Sequence, residues 1–289
     1  MNNTNVTATT ADAGPERIQA LNSLIEQLQL EPLEKNLFRG TSNDIGSPSV
    51  FGGQVLAQAL VAAGRTVESH RLHSLHGYFL LAGDKEAPIV YEVDAVRDGA
   101  AFTSRRVVAM QHGRAIFHMS ASFQRDEPGV NHQYPMPEVP PPDTLPRTGE
   151  HDLQLTEPFE IVFIDPRNTR QDGPLPPANQ IWVRTCTDVT PHSPLIHQAL
   201  LAYISDFSLL SVAQRPHGLY YHQPGLKTVS LDHAMWFHRP FRADEWLLYD
   251  MVSPSASNAR GFCRGALYNL RGELVASVAQ EGLIRYRPK

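Results

Sequence analysis

Only two cysteines, Cys186 and Cys263, occur in 289 residues. They are too few and too isolated for a disulfide framework or a thiolate metal site, so each reads as a buried thiol. Positive charge is also short: 25 Lys and Arg against 30 Asp and Glu leave a formal net charge of -5, and nucleic acid has no basic footprint to bind. No run approaches the roughly 18 consecutive apolar residues of a membrane span. A P-loop, a G-x-G-x-x-G loop and a G-x-S-x-G elbow are all missing, which leaves nucleotide binding and serine-hydrolase chemistry without an anchor. Histidines are plentiful, but His73 with His76 and His192 with His197 lack the H-E-x-x-H context of a zinc site, so no metal is expected. The first 14 residues have neither the basic nor the apolar region of a signal peptide. Tyr286-Arg287-Pro288-Lys289 is not a Ser-Lys-Leu address. A cytoplasmic protein is the expectation.

What is there is a repeat. Residues 53–124 read as an apolar helix followed by strands, and residues 194–284 read the same way. His76-Gly77-Tyr78-Phe79 matches His233-Ala234-Met235-Trp236, Arg105 matches Arg264, and Gly113-Arg114-Ala115-Ile116 matches Gly272-Glu273-Leu274-Val275. A period of roughly 158 residues is far too long for a solenoid. Two fused copies of one α+β unit, each a buried helix with an antiparallel sheet curled around it, is the simpler architecture.

Four segments follow. Residues 1–29 form a polar tail and a short amphipathic helix, in which Ile18, Leu21, Leu24, Ile25 and Leu28 recur at helical spacing. Residues 30–125 are the first unit, its helix spanning 55–67 behind the opening Phe51-Gly52-Gly53-Gln54. The start of a buried helix accounts for those two glycines and leaves backbone N–H groups free there. Residues 126–154 are a linker in a proline-rich stretch, for 12 of the chain's 23 prolines fall between 126 and 180. Residues 155–289 are the second unit. Its helix has Ser193 as N-cap and Pro194 at its first position and is expected to run to about residue 213, followed by strands at 228–237, 246–252, 259–269 and 274–284.

The two helices differ in one respect that matters for chemistry. The first has no acid before Glu68; the second carries Asp206 at the edge of a stripe made by Ile196, Leu200, Tyr203, Ile204 and Phe207. Desolvation there would cost a lone carboxylate several kcal/mol, roughly, unless something hydrogen-bonds it. Asp206 is therefore either a rim acid tied to nearby backbone or a buried acid with a purpose. Gln280 is the single polar group on a strand face shared with Leu274, Ala276, Val278, Gly282 and Ile284. Its amide needs partners, from backbone at a bulge or from a carboxylate and a water. Ser230 is a weaker candidate: strict alternation sets it with Asp232, opposite Val229, Leu231 and Met235, so its face is open unless the strand is bulged. The same alternation turns His233 away from Ser230, with His76 in its place in the other copy.

Phe51-Gly52-Gly53-Gln54-Val55, Tyr203-Ile204-Ser205-Asp206-Phe207, the string from Leu231-Asp232-His233-Ala234-Met235-Trp236 to Phe237-His238-Arg239-Pro240-Phe241, and Gln280-Glu281-Gly282 together resemble the bacterial acyl-CoA thioesterase II family. The resemblance covers about residues 30–289 and is weakest in the proline-rich linker. It implies a double hotdog fold and hydrolysis of fatty acyl-CoA to free acid and CoA, without metal or covalent cofactor. It implies Asp206 as the catalytic aspartate, Gln280 as the catalytic amide and Ser230 as the catalytic hydroxyl, where the family typically has threonine. Together these would hold one water, with Asp206 removing its proton. Arg105, Arg106, Arg260 and Arg264 are candidates for the CoA phosphates. The resemblance also favours assembly into dimers or tetramers. Two rivals remain: a hotdog enoyl-CoA hydratase, pairing an acid with a histidine, and an acyl-CoA sensor that has lost its chemistry.

Overall fold

The computed structural model describes residues 14–146, 157–167 and 169–288. The first half runs α1 (Pro15–Leu28), β1 (Glu31–Glu34), β2 (Leu37–Gly40), α2 (Gly52–Gly64), β3 (Arg71–Phe79), β4 (Ile89–Asp98), β5 (Phe102–Gln111) and β6 (Arg114–Gln124). The second runs β7 (Phe159–Phe163), the single turn α3 (Thr169–Asp172), β8 (Ala178–Thr185), α4 (Pro194–Ser205), β9 (Leu226–Ser230), β10 (Asp232–Phe237), β11 (Leu247–Ser257), β12 (Arg260–Asn269) and β13 (Leu274–Tyr286).

All the strands join one antiparallel sheet in the order β1-β2-β4-β5-β6-β3-β10-β13-β12-β11-β8-β7, with β9 against β13. The order β4-β5-β6-β3 is repeated in mirror sense as β10-β13-β12-β11, so two like units meet at the β3–β10 pair. There Asp232 faces Tyr78 and Ala234 faces His76. The matched glycines occupy equivalent turns: Gly113 and Gly272 both take positive φ, 69° and 75°, in the β5–β6 and β12–β13 hairpins, a conformation glycine adopts without steric cost.

Each unit wraps its sheet around one apolar helix. In α2 every residue from Gly53 to Ala63 is buried, as expected of a helix with apolar residues on all sides. Helices α2 and α4 lie side by side in opposite directions. A Cβ on Gly53 would meet the Tyr203 carbonyl oxygen, and one on Gly64 would meet Leu195, so the start of each helix lies against the end of the other. The segment Pro194–His217 is apolar enough to resemble a membrane span by composition, yet 72% of its apolar stretch is buried inside the protein.

Several expectations are corrected. Helix α2 begins at Gly52. Helix α4 ends at Ser205, well short of residue 213, because Ser208 takes a left-handed φ of 65° and turns the chain into a separate 3-10 helix, Leu210–Ala213. Asp206 is therefore the C-cap of α4 and not an interior residue. Ser193 holds the N-cap position, but its side chain makes no capping hydrogen bond. The matched pairs of the repeat also part company in space: Arg105 is buried and Arg264 exposed, His233 buried and His76 exposed, so these matches fall on opposite faces of the sheet.

The proline-rich segment does more than connect. Met136, Val139 and Leu145 cover a second apolar cluster of Val162, Trp182, Trp246, Leu248 and Tyr268 on the outer face of the sheet. Trp182 Nε1 donates to the Pro140 carbonyl at 2.9 Å, and Gln133 both donates to Gly272 O and accepts from Leu274 N. The expected junction at residues 154 and 155, and the polar tail up to residue 13, lie outside the described residues.

Candidate active site

The three candidate residues converge from three elements. Asp206 comes from the end of α4, Gln280 from β13 and Ser230 from the end of β9. Gln280 Nε2 donates to Asp206 Oδ1 at 2.5 Å and to Ser230 Oγ at 3.1 Å. Both amide hydrogens are thus committed, while Gln280 Oε1 is buried without a partner among the described residues.

Ser230 reaches this face because the strand is bulged. Ala234 pairs with Ala279, which by simple counting would set Ser230 opposite Leu283; it is opposite Gly282. Residues 231–233 thus span only 280 and 281, with Leu231 N bonded to Glu281 O. One extra residue reverses the alternation. Ser230 and His233, which strict alternation separates, both end on the inner face beside Gln280. His233 is completely buried, and its Nδ1 lies 3.8 Å from Asp206 Oδ1. His76 is exposed on the other face and contacts Asp232 at 3.0 Å. The expectation that His233 points away is overturned.

The first unit supplies the fourth wall. Asp206 Oδ2 lies against Gly52, and the Gly53 N–H donates to the carboxylate. The first residues of a helix have N–H groups with no intrahelical partner and carry its positive end. The start of α2 therefore compensates the negative end of α4 on which Asp206 sits. The corresponding C-cap of α2 is Arg65, whose guanidinium bonds the Gln29 and Leu30 carbonyls, each at 2.7 Å, and lies over Phe38. One helix end is built for an acid and the other for a structural cation.

Burial drives the electrostatics. Desolvation raises the Asp206 pKa above the usual carboxylate value, opposed by hydrogen bonds from Gln280, Gly53 and Ser230. Desolvation pushes His233 down to about 4, so it is neutral near pH 7. Tyr249, also fully buried, donates to the Ser205 carbonyl at 2.8 Å and closes the end of α4.

The four arginines behave differently. Arg105 is buried and tied to Asp98, Thr66 and the Arg97 carbonyl, a structural role that removes it as a phosphate ligand. Arg106 pairs with Asp94 and Arg260 with Glu281. Arg264 is exposed and without an ion-pair partner among the described residues. No group of three His, Cys, Asp or Glu side chains suited to a metal ion occurs among the described residues.

A helix wrapped by an antiparallel sheet, twice over, is the hotdog architecture. The solved hotdog-fold protein of Alicyclobacillus acidocaldarius superposes with a TM-score of 0.78 over 92% of this chain and 99% of its own, at 21% identity. The doubled fold carries a buried acid and amide with a half-buried hydroxyl at one helix end. The model of the acyl-CoA thioesterase family matches residues 152–283, and that of the acyl-CoA thioesterase N-terminal domain matches residues 38–124. Acyl-CoA thioesterase 2 of Haemophilus influenzae is 40% identical over 281 residues, covering 92% of this chain and 98% of that protein. The crystal structure of an acyl-CoA thioesterase II from Mycobacterium marinum shares 44% identity and a TM-score of 0.78 over 91% of this chain and 98% of its own. The chain belongs to the acyl-CoA thioesterase II family and is a thioester hydrolase.

Proposed function

We propose that the substrate is a fatty acyl-CoA and that Asp206, Ser230 and Gln280 together hold the water that cleaves it. The observation that carries this reading is the Gln280 amide bonded at once to the Asp206 carboxylate and the Ser230 hydroxyl inside an otherwise apolar sheet face. Asp206 removes a proton from the water as its oxygen attacks the thioester carbonyl. Its pKa, raised by burial, makes it a stronger base than an exposed carboxylate. Ser230 and Gln280 fix the direction of the water. The oxyanion draws on backbone donors at the start of α2, where Gly52 lies beside the carboxylate. The departing CoA thiolate needs little protonation, since a thiol pKa is about 8.5. Arg264 remains the candidate among the four arginines for a CoA phosphate. A cytoplasmic enzyme assembled as a dimer or tetramer belongs to the same proposal; light scattering on the purified protein tests the assembly.

Thiol release from palmitoyl-CoA tests the mechanism. Asp206→Asn should retain fold and acyl-CoA binding while kcat drops by about 10²–10⁴, the usual worth of a general base. Gln280→Ala should also impair kcat. The double variant should be barely worse than Asp206→Asn, because both groups serve one water. A folded Asp206→Asn enzyme with near-normal kcat removes Asp206 from the chemistry.

A further inference from the structure

His233 takes no part in the water chemistry above, yet nothing in its surroundings makes it a filler. It is fully buried, its Nδ1 is 3.8 Å from Asp206 Oδ1, and that nitrogen has no hydrogen-bonding partner among the described residues. Its other nitrogen, Nε2, is 2.9 Å from the hydroxyl of Ser205, the residue directly before Asp206. A neutral imidazole carries one N–H and one bare nitrogen, so the two tautomers make different predictions for the carboxylate.

With the proton on Nε2, Ser205 accepts it and donates its own to the Ala202 carbonyl at 2.9 Å. The bare Nδ1 lone pair then faces an anion with no donor between them, in a water-poor interior where such repulsion is weakly screened. With the proton on Nδ1, Ser205 turns its hydroxyl to donate to Nε2 and releases the Ala202 carbonyl. One neutral bond is exchanged for an N–H dipole facing a charge, and interactions assisted by charge are the stronger kind.

We propose that His233 is a positioning residue for Asp206: its Nδ1–H tautomer, set by the Ser205 hydroxyl, directs an N–H at Oδ1 and so leaves Oδ2 as the oxygen that receives the proton of water. This rests on the reading of Asp206 as general base. The division of labour fits the rest of the carboxylate's surroundings. Oδ1 already accepts from Gln280, whereas Oδ2 lies against Gly52 at the open start of α2. The other titratable groups near Asp206 are Tyr249 on β11 and Tyr221 in the loop before β9. Burial raises the Tyr249 phenol, and Tyr221, though exposed at the surface, is also shifted upward, so both stay protonated at neutral pH. Helix α2 presents Gly52 and Gly53 to it, and strand β13 presents Gln280. Asp232 and His76, which act on His233 from β10 and β3, pair with each other at 3.0 Å.

The test is kcat and KM for palmitoyl-CoA against pH in wild type, H233L and H233N. H233L should lose about 10- to 100-fold in kcat, as a misplaced catalytic group does, with KM within a few-fold. Its acid limb should move to higher pH, because the carboxylate has lost a nearby N–H dipole that favours its charged form. H233N, which keeps an N–H, should recover part of both. A folded H233L enzyme with wild-type kcat and acid limb overturns the proposal. Should H233L fail to fold, the long-range 1H–15N spectrum of wild-type His233, assigned by its loss in H233N, decides: a protonated Nδ1 upholds the proposal and a protonated Nε2 overturns it. Activity surviving in Asp206→Asn would fell the base assignment alone, and the tautomer spectrum would still decide His233.

Discussion

Gly53 and Tyr203 meet backbone against backbone: a Cβ on Gly53 would lie 2.3 Å from the Tyr203 carbonyl oxygen. That approach is what lets the first unit's helix deliver its N-terminal N–H groups to an acid carried by the second. A carbonyl in the last turn of a packed helix cannot yield as a side chain can. Gly53→Ala should therefore push the helices apart and destabilise the fold by about 1–3 kcal/mol, the usual cost of overpacking. The midpoint of urea unfolding measures it. An unchanged midpoint would mean the two helices slide freely.

Gly52 makes a different contact, and its substitution should separate activity from stability. A Cβ there would stand 2.8 Å from Asp206 Oδ2 and 3.1 Å from Phe79, both side chains that can shift. Gly52→Ala should lower kcat more than tenfold, roughly, since displacing a reacting group by an ångström costs that much or more, while the urea midpoint moves less than in Gly53→Ala. Equal kcat in the two proteins would show that the carboxylate does not need the space above Gly52.

Asp206 should also weaken the fold it serves. Burial raises its folded pKa above the unfolded value of 3.8, so across that window the folded state binds more protons than the unfolded state and stability falls as pH rises. Asp206→Asn removes this dependence. The variant should come closest to wild type below about pH 3, where the acid is mostly protonated in both states, and become progressively more stable than wild type as pH rises to 7. His233, lowered to about 4, has the opposite dependence; between about pH 5 and 7 it is neutral in the folded state of both proteins and drops out of their difference there. Melting temperatures of the pair against pH give the sign directly. A variant less stable than wild type at pH 7 would contradict a desolvated carboxylate.

Much of this was legible in the chain. The repeat, the two apolar helices and the hairpins at Gly113 and Gly272 follow from hydrophobic periodicity and turn residues, which are local signals. Asp206 and Gln280 stand out because each is a lone polar group on an apolar face, where a partner is obligatory. The place of His233 was not legible. A one-residue bulge at 231–233 inverts the face of everything before it, and nothing in Ser230-Leu231-Asp232-His233 marks the slip. Nor did alternation show that Arg105 is buried and Arg264 exposed. The contribution of Gly52 and Gly53 to a site in the other half is a long-range contact, invisible to any window of sequence. The end of α4 at Ser205 was missed because apolar residues continue to Ala213, and only the left-handed turn at Ser208 interrupts them.

Ser230 should tolerate threonine and not alanine. The Thr hydroxyl can occupy the same place with a stiffer χ1, and the partly buried site opposite Gly282 has no side chain to obstruct the added methyl from that strand. Ser230→Thr should keep kcat within a few-fold of wild type. Ser230→Ala leaves one Gln280 N–H without its acceptor and should reduce kcat with little change in KM. If both variants turn over palmitoyl-CoA like wild type, Ser230 does not hold the water.

The second half should not function alone, even though it carries all three proposed catalytic side chains. Expressed as residues 157–289, it would lose α2 from beside α4 and β3 from beside β10, exposing Leu195 and Tyr203 along one helix and an unpaired central strand along the sheet. Exposed strand edges of this kind pair with other chains. It would also lose the Gly53 N–H that bonds Asp206, raising the carboxylate's desolvation cost just where its charge is needed. Insoluble protein, or soluble protein without turnover, is the expected outcome. Adding residues 14–146 as a separate chain should restore some hydrolysis if the two halves dock as they do in the intact fold, and thiol release from the mixture measures it. A fully active monomer of residues 157–289 would show that the first unit is dispensable and that the helix start at Gly52 and Gly53 contributes nothing to the reaction.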